Sequence, residues 1–324
     1  MIARIAILGG AALALLSLPL WADAGARSTL IILCYHAAIA QMWNLLAGYA
    51  GLVTFGQQLY IGLGAYTLAI ASERLGLGIW PSFALAAAVC GLLALPIGAL
   101  TFRLRGGYFA VGSWVVAEIF RLLFGNWAYV GFASGMFIRA ARRVDPWVIY
   151  YASVGLAGGA CALVVALLRS RAGLALMAVR DGEEAAAGLG VDVWRVKLFA
   201  FAVAAAGTGL AAALTAVQTP FIQPNAAFSI QWVAAASFMA VVGGLGTVEG
   251  PLIGAAIYVL VQQQLGGSGA VNLIVLGTTS VAVMLIAPRG IAGLVHERLG
   301  WTLFPVARRP SDRAQQLRTK SIPP

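Results

Sequence analysis

Charge is what this chain has least of. Only 10% of its 324 residues are Asp, Glu, Lys or Arg, where a soluble domain carries about 25%. Lysine occurs twice, at Lys197 and Lys320, and no GxxxxGK[ST] run is present. The chain therefore builds no P-loop of its own for nucleotide phosphates. His36 and His296 are the two histidines, without HExxH or a paired His-x-Glu, and no GxSxG nucleophile turn occurs. With acid, base and metal clusters missing, an intramembrane enzyme has no residue set behind it, and no catalytic, metal or cofactor site is read. Cys34, Cys90 and Cys161 lie in apolar segments without CxxC spacing, as small buried hydrophobes do, and support neither a disulfide framework nor a metal site.

Apolar residues are what it has in quantity: 61% of the chain, with a mean hydropathy of +0.90. Such a composition belongs in a bilayer. The net charge of +10 sits in connections and at the C-terminal end, where it suits cytoplasmic loops and anionic headgroups better than nucleic acid. The expected fold is all-α, a polytopic helix bundle. A span needs about 20 apolar residues, and ten segments qualify: 3–21, 29–48, 53–72, 80–101, 106–124, 147–168, 198–217, 228–245, 251–266 and 270–287. Residues 1–24 also read as a signal peptide ending in Ala22-Asp23-Ala24, which would leave nine spans. The apolar run is longer than an ordinary signal core of about 7–15 residues, which favours a retained span.

If 169–197 faces the cytoplasm, alternation puts Arg4, Arg103, Arg105, Arg289 and the basic tail there too. The other side receives Arg27, Arg74, Arg139, Arg142 and Arg143, the smaller share required outside, and both termini fall inside. Trp80, Trp147 and Trp194 stand at segment ends, where indole rings anchor at headgroup level. Residues 1–295 are expected to form the transmembrane domain and 296–324 a basic, disordered cytoplasmic tail.

Polar groups inside this apolar chain are few enough to weigh singly. Glu118 lies well inside a span, where a carboxylate is costly. It either belongs to a polar pathway or pairs with Arg121 one helical turn on. His36 reads as a hydrogen-bonded packing residue. Gln57, Gln58, Gln231 and Gln262 to Gln264 either face a central cavity or bond to neighbouring helices. Glycines gather around Gln57, Gln58 and Tyr60 (Gly48, Gly51, Gly62, Gly64) and around Glu249 (Gly243, Gly244, Gly246, Gly250, Gly254). Most of them suit close helix packing, and helix breaks there would free backbone groups to line a cavity.

The densest mixed charge runs from Arg169 to Lys197. Asp181 followed by Glu184 reads as a helix start with the Asp carboxylate as cap. Ala185, Ala186 and Ala187 favour helix, and Gly188 and Gly190 end it within about two turns. The segment is either a capped connector or a short cytoplasmic helix that docks into another subunit.

Taken in order, Asn44 to Gly51, Gly62 to Tyr66, Leu104 to Ala110, Ala117 to Ile119, Ala178 to Gly190, Val242 to Pro251 and Ala287 to Gly290 resemble the permease subunits of bacterial ABC importers for branched-chain amino acids. The resemblance is to the longer of the two permease types and covers residues 35 to 295. It implies two partner ATPase subunits, a second permease subunit, a periplasmic solute-binding protein and an inner-membrane location. Glu184-Ala185-Ala186 with Gly190 looks like the EAA motif, whose short helix docks on the ATPase. The implied coupling residues are therefore Arg180, Asp181, Glu183, Glu184, Ala185, Ala186 and Gly190. Two places depart from the family pattern: Gly131 to Met136, which includes Ser134, and Gln57-Gln58, where a His is usual. Gln57, Gln58, Tyr60, Glu118 and Ser134 are the candidate substrate pathway. Members of the family carry urea and short amides as well as aliphatic amino acids, and a channel or facilitator without an ATPase is the alternative from another class.

Overall fold

In lipid a backbone must satisfy its own hydrogen bonds, so long apolar runs become helices. The structure, a computed structural model, describes residues 10, 14–18, 23–265, 269–287 and 289–299. Helix α1 (Ala24–Asn44) begins where the Asp23 carboxylate accepts from the Ala26 N–H at 3.1 Å, and widens into a π-helical turn over Leu45–Tyr49. After an irregular stretch come α2 (Gln58–Glu73), α3 (Ile79–Thr101) and α4 (Gly107–Gly125). A connection of 3-10 turns and the two-residue strand β1 (Met136–Phe137) leads to α5 (Pro146–Arg169). There Asp145 accepts from the Trp147 N–H at 2.9 Å, and Pro146 fills a first-turn position that needs no N–H.

The charged segment follows as α6 (Arg171–Asp181) and α7 (Glu183–Gly188). Next are α8 (Val193–Gln218), β2 (Phe221–Ile222) antiparallel to β1, and the single turn α9 (Pro224–Ala227). Helices α10 (Gln231–Gly243), α11 (Gly250–Leu265), α12 (Gly269–Ile286) and α13 (Gly290–Leu299) complete the described chain.

Seven helical stretches among the described residues are long and apolar enough to cross a membrane. One expected span is shorter than the sequence reading: residues 53–57 are not helical, so the 53–72 segment shrinks to the 16 residues of α2, while 251–266 is met within one residue by the 16 of α11. Sixteen residues rise about 24 Å, short of a hydrocarbon core of about 30 Å. The expected first segment, 3–21, lies largely outside the described residues. Of it, residues 14–17 are helical, and the Leu15 carbonyl accepts from the Tyr150 hydroxyl at 2.7 Å. Residues 300–324 also lie outside them.

α2 sits at the centre, buried along nearly its whole length against α3 and α8. Lipid gives helices no hydrophobic reason to associate, so small residues must let backbones approach. A methyl added at Gly64 would meet the Gly209 Cα at 2.7 Å, and one at Gly209 would meet the Cys90 Cβ at 2.7 Å. A second apolar cluster joins α1, α10 and α11 through Ala37, Ala40, Ala235, Phe238, Met239 and Ala255. α5 runs from Pro146 to Arg169 and so separates two ends of the bundle. At its start, Arg27 stacks on Trp147 at 5.0 Å, Arg74 on Tyr129 and Arg142 on Phe137. The α6–α7 pair lies at its other end.

Candidate functional site

α6 starts at Ser170, whose hydroxyl accepts from the Gly173 N–H at 3.3 Å, and turns Leu176 and Val179 inward. α7 is different. Only Ala186 is buried, while Glu183, Glu184, Ala185 and Ala187 are exposed and Leu189 is 83% exposed. It ends as the glycines foretold: Val191 N–H donates to the Ala186 carbonyl at 3.1 Å, Gly190 N–H to that of Ala187 at 2.9 Å, and Gly190 takes φ +83°.

The expected cap, however, is wrong by one residue. Gly182 caps α7 without a side chain, and Asp181 closes α6. Its carboxylate turns to Arg180 instead, one oxygen meeting Nε at 2.9 Å and Nη2 at 2.9 Å.

Lys197 pairs with Glu183, and Arg195 with Asp192 at 2.9 Å. Glu184 makes no ion pair with any described residue. Beside it, a cavity of about 820 Å³ opens between α7, the start of α8 and the connection from α3 to α4, lined by Gly51, Arg105, Phe109, Glu183, Glu184 and Lys197 among others.

Arg180 reaches inward. Its Nη1 donates to the Gly48 carbonyl at 3.0 Å, within the π-helical turn. Next to it, buried Asn44 accepts from the Gly246 N–H at 2.8 Å and donates to the Thr247 carbonyl at 2.8 Å. Thr247 organises the turn between α10 and α11, donating to the Gly244 carbonyl at 2.8 Å and accepting from the Gly250 N–H at 3.0 Å. Gly48 and Gly51, and Gly244 and Gly246, thus lie in breaks between helices that touch each other, while Gly62, Gly64 and Gly254 lie inside helices.

Above the breaks lies a buried set of uncharged polar side chains. Gln57 Nε2 donates to Thr208 Oγ1 at 2.6 Å, and Thr54 donates to Ser113 at 3.0 Å. Gln57 Oε1, both ends of the Gln41 and Gln58 amides, and the hydroxyls of Tyr49, Tyr60 and Tyr66 find no partner among the described residues. Leaving such a group unpaired costs roughly 1–3 kcal/mol.

Glu118 and Ser134 do not join this set. Glu118 bonds Arg121 Nε at 2.8 Å, and Arg121 also donates to Asn225 Oδ1 at 2.5 Å. Ser134 is exposed in a 3-10 turn of the α4–α5 connection. His36 packs as read, Nδ1 against the Ile32 carbonyl at 2.9 Å, among the rings of Tyr35, Trp232 and Tyr258.

A family model described as the permease component of branched-chain amino acid transport systems matches residues 25–287. The chain belongs to that family. It is 29% identical over 286 residues to the high-affinity branched-chain amino acid transport system permease protein LivM of Salmonella typhimurium, covering 79% of this chain and 67% of that one. Against LivM of Escherichia coli K12 the identity is 28% over the same shares. The probable permease protein LivH of Methanocaldococcus jannaschii is 26% identical over 64% of this chain and 65% of its own. No solved structure matches.

Within this permease, three placements escaped sequence reasoning. Asn44 stood as a polar residue closing an apolar run, which is a signal in a membrane segment. Leu189, an apolar residue between two glycines of a charged loop, was a weaker one. The inward reach of Arg180 had no local signal at all.

Proposed function

We propose that this chain is one permease subunit of an ABC importer that moves branched-chain or related small amino acids across the bacterial inner membrane. Hydrolysis takes place in two partner ATPase subunits, a second permease subunit completes the pore, and a periplasmic binding protein delivers the solute. The α6–α7 pair is the coupling element. Arg180, Asp181, Glu183, Glu184, Ala185, Ala186 and Gly190 belong to it, and Leu189 joins them as an apolar plug for a pocket on the ATPase.

Ten spans place both termini in the cytoplasm, with 1–295 as the transmembrane domain and 296–324 as its tail. The solute route passes the uncharged amides and hydroxyls of Gln57, Gln58 and Tyr60, which suit a small zwitterion's polar end without binding it tightly. Glu118 and Ser134, which make no contact with these groups, lie towards the outer mouth. ATP binding to the partners shifts the bundle between outward- and inward-open states, through their unequal affinity for the two.

The observation that carries this reading is the family match over residues 25–287, joined to an α7 whose Glu184, Ala185 and Ala187 stand exposed among the described residues. Glu184→Lys tests it, because it reverses charge at the docking surface without touching a buried contact. Uptake is expected to fall to background while the protein stays in the membrane, and the ATPase recovered by pull-down drops with it. Normal uptake with a normal ATPase yield sinks the reading.

A further inference from the structure

We propose that Arg180 is a positioning residue that fastens the α6–α7 pair to both helix breaks, so that a push on the pair moves the inner end of α1 and the 244–250 turn together. The proposal rests on the importer reading above and adds to it the route by which motion enters the bundle.

Three observations meet at this residue. The breaks cross backbone to backbone: a methyl added at Gly48 would meet the Gly246 nitrogen at 2.6 Å, and Asn44 bonds across the crossing at both ends. Arg180 lies over the same crossing. A methyl at Gly51 would meet its Cγ at 3.4 Å, and one at Gly246 its Nη1 at 3.9 Å. Asp181 grips Nε and Nη2, which fixes the plane of the guanidinium and aims Nη1 at the Gly48 carbonyl.

A fork with two donors on a carboxylate and a third on a backbone oxygen is a geometry that arginine supplies and lysine does not. The carbonyl it holds belongs to a π-helical turn, a place where a helix can shift its winding. The residues that meet at the crossing, Gly48 and Gly246, have no side chain to be pulled by. Arg180 and Asn44 supply that handle, and only Arg180 comes from the coupling element. Asp181 serves here as the holder of Arg180, which explains why it does not cap α7.

The test uses the assembled transporter in proteoliposomes, comparing solute imported per ATP hydrolysed in wild type, Arg180→Gln and Arg180→Lys. The α7 surface is untouched, so the ATPase is expected to copurify with both variants. Loss of the charge-assisted hold on the Gly48 carbonyl is expected to lower transport per ATP about tenfold in Arg180→Gln, with partial recovery in Arg180→Lys. A brace without a part in transmission leaves that ratio at the wild-type value, which overturns the proposal, as does an Arg180→Gln protein that sits in the membrane without its ATPase.

Should Arg180→Gln fail to accumulate, Leu245→Cys in the otherwise native chain answers the same question. Cys34, Cys90 and Cys161 are buried, so thiol labelling reports on the break. Its rate is expected to change severalfold when the ATPase binds nucleotide, and an identical rate in every nucleotide state rejects the coupling. A wild-type preparation with no ATPase attached fails earlier, at the importer reading itself.

Discussion

Glu118 and Arg121, one turn apart on α4, behave as a local pair, and a local pair can be read from spacing alone. The same holds for His36, whose partner is four residues back. Asn44 and Arg180 bond partners 202 and 132 residues away, and no spacing rule reaches that far. The Asp181 cap failed for a competing local reason: the guanidinium of the adjacent Arg180 presents two donors and a full positive charge to the carboxylate. Because Glu118 is 36% exposed and its pair is worth about 0–1 kcal/mol, Glu118→Gln is expected to keep most uptake, within about threefold of wild type. Complete loss of transport with normal assembly, measured by radiolabelled uptake and membrane yield, puts Glu118 in the solute path instead.

Helices were legible as elements because lipid demands them, but their lengths were not. Hydropathy reads apolar runs without knowing the backbone's path, so residues 53–57, irregular, with Thr54, Gly56 and Gln57 buried and Val53 and Phe55 exposed, looked like the start of α2. The Trp43 indole donates to the Thr54 carbonyl at 3.0 Å, and the Thr54 hydroxyl accepts from the Gly56 N–H at 3.0 Å. Side chains thus replace the helical bonds that this backbone lacks, as non-helical backbone at membrane depth requires. A close backbone approach in the bundle centre is α2 on α8 at Gly64. Gly64→Val is expected to destabilise by about 1–3 kcal/mol or more through overpacking, read as a lower temperature of precipitation from detergent. An unchanged temperature removes Gly64 from the tight crossing.

At the scale of the molecule, composition set the class and an ordered series of motifs set the family. The proposed division of labour with other chains agrees with a sequence that has no P-loop run and few titratable groups in its apolar segments. Liposomes holding this chain alone are therefore expected to show no solute flux with or without ATP, and flux appears only when ATPase and second permease are added with ATP. Nucleotide-independent flux through the single chain makes it a facilitator.

The central position of α2 also sets an order of events during synthesis. Its Gly62 and Gly64 face and Gln57 are covered by Phe228, Gly209 and Thr208, all of which leave the ribosome more than a hundred residues later. At about 5–20 residues per second, a helix too short to settle in lipid by itself waits roughly 7–30 seconds beside the insertion machinery. The nascent bundle is therefore open at its heart until α8 arrives, and that interval is when quality-control proteases have their best view of it.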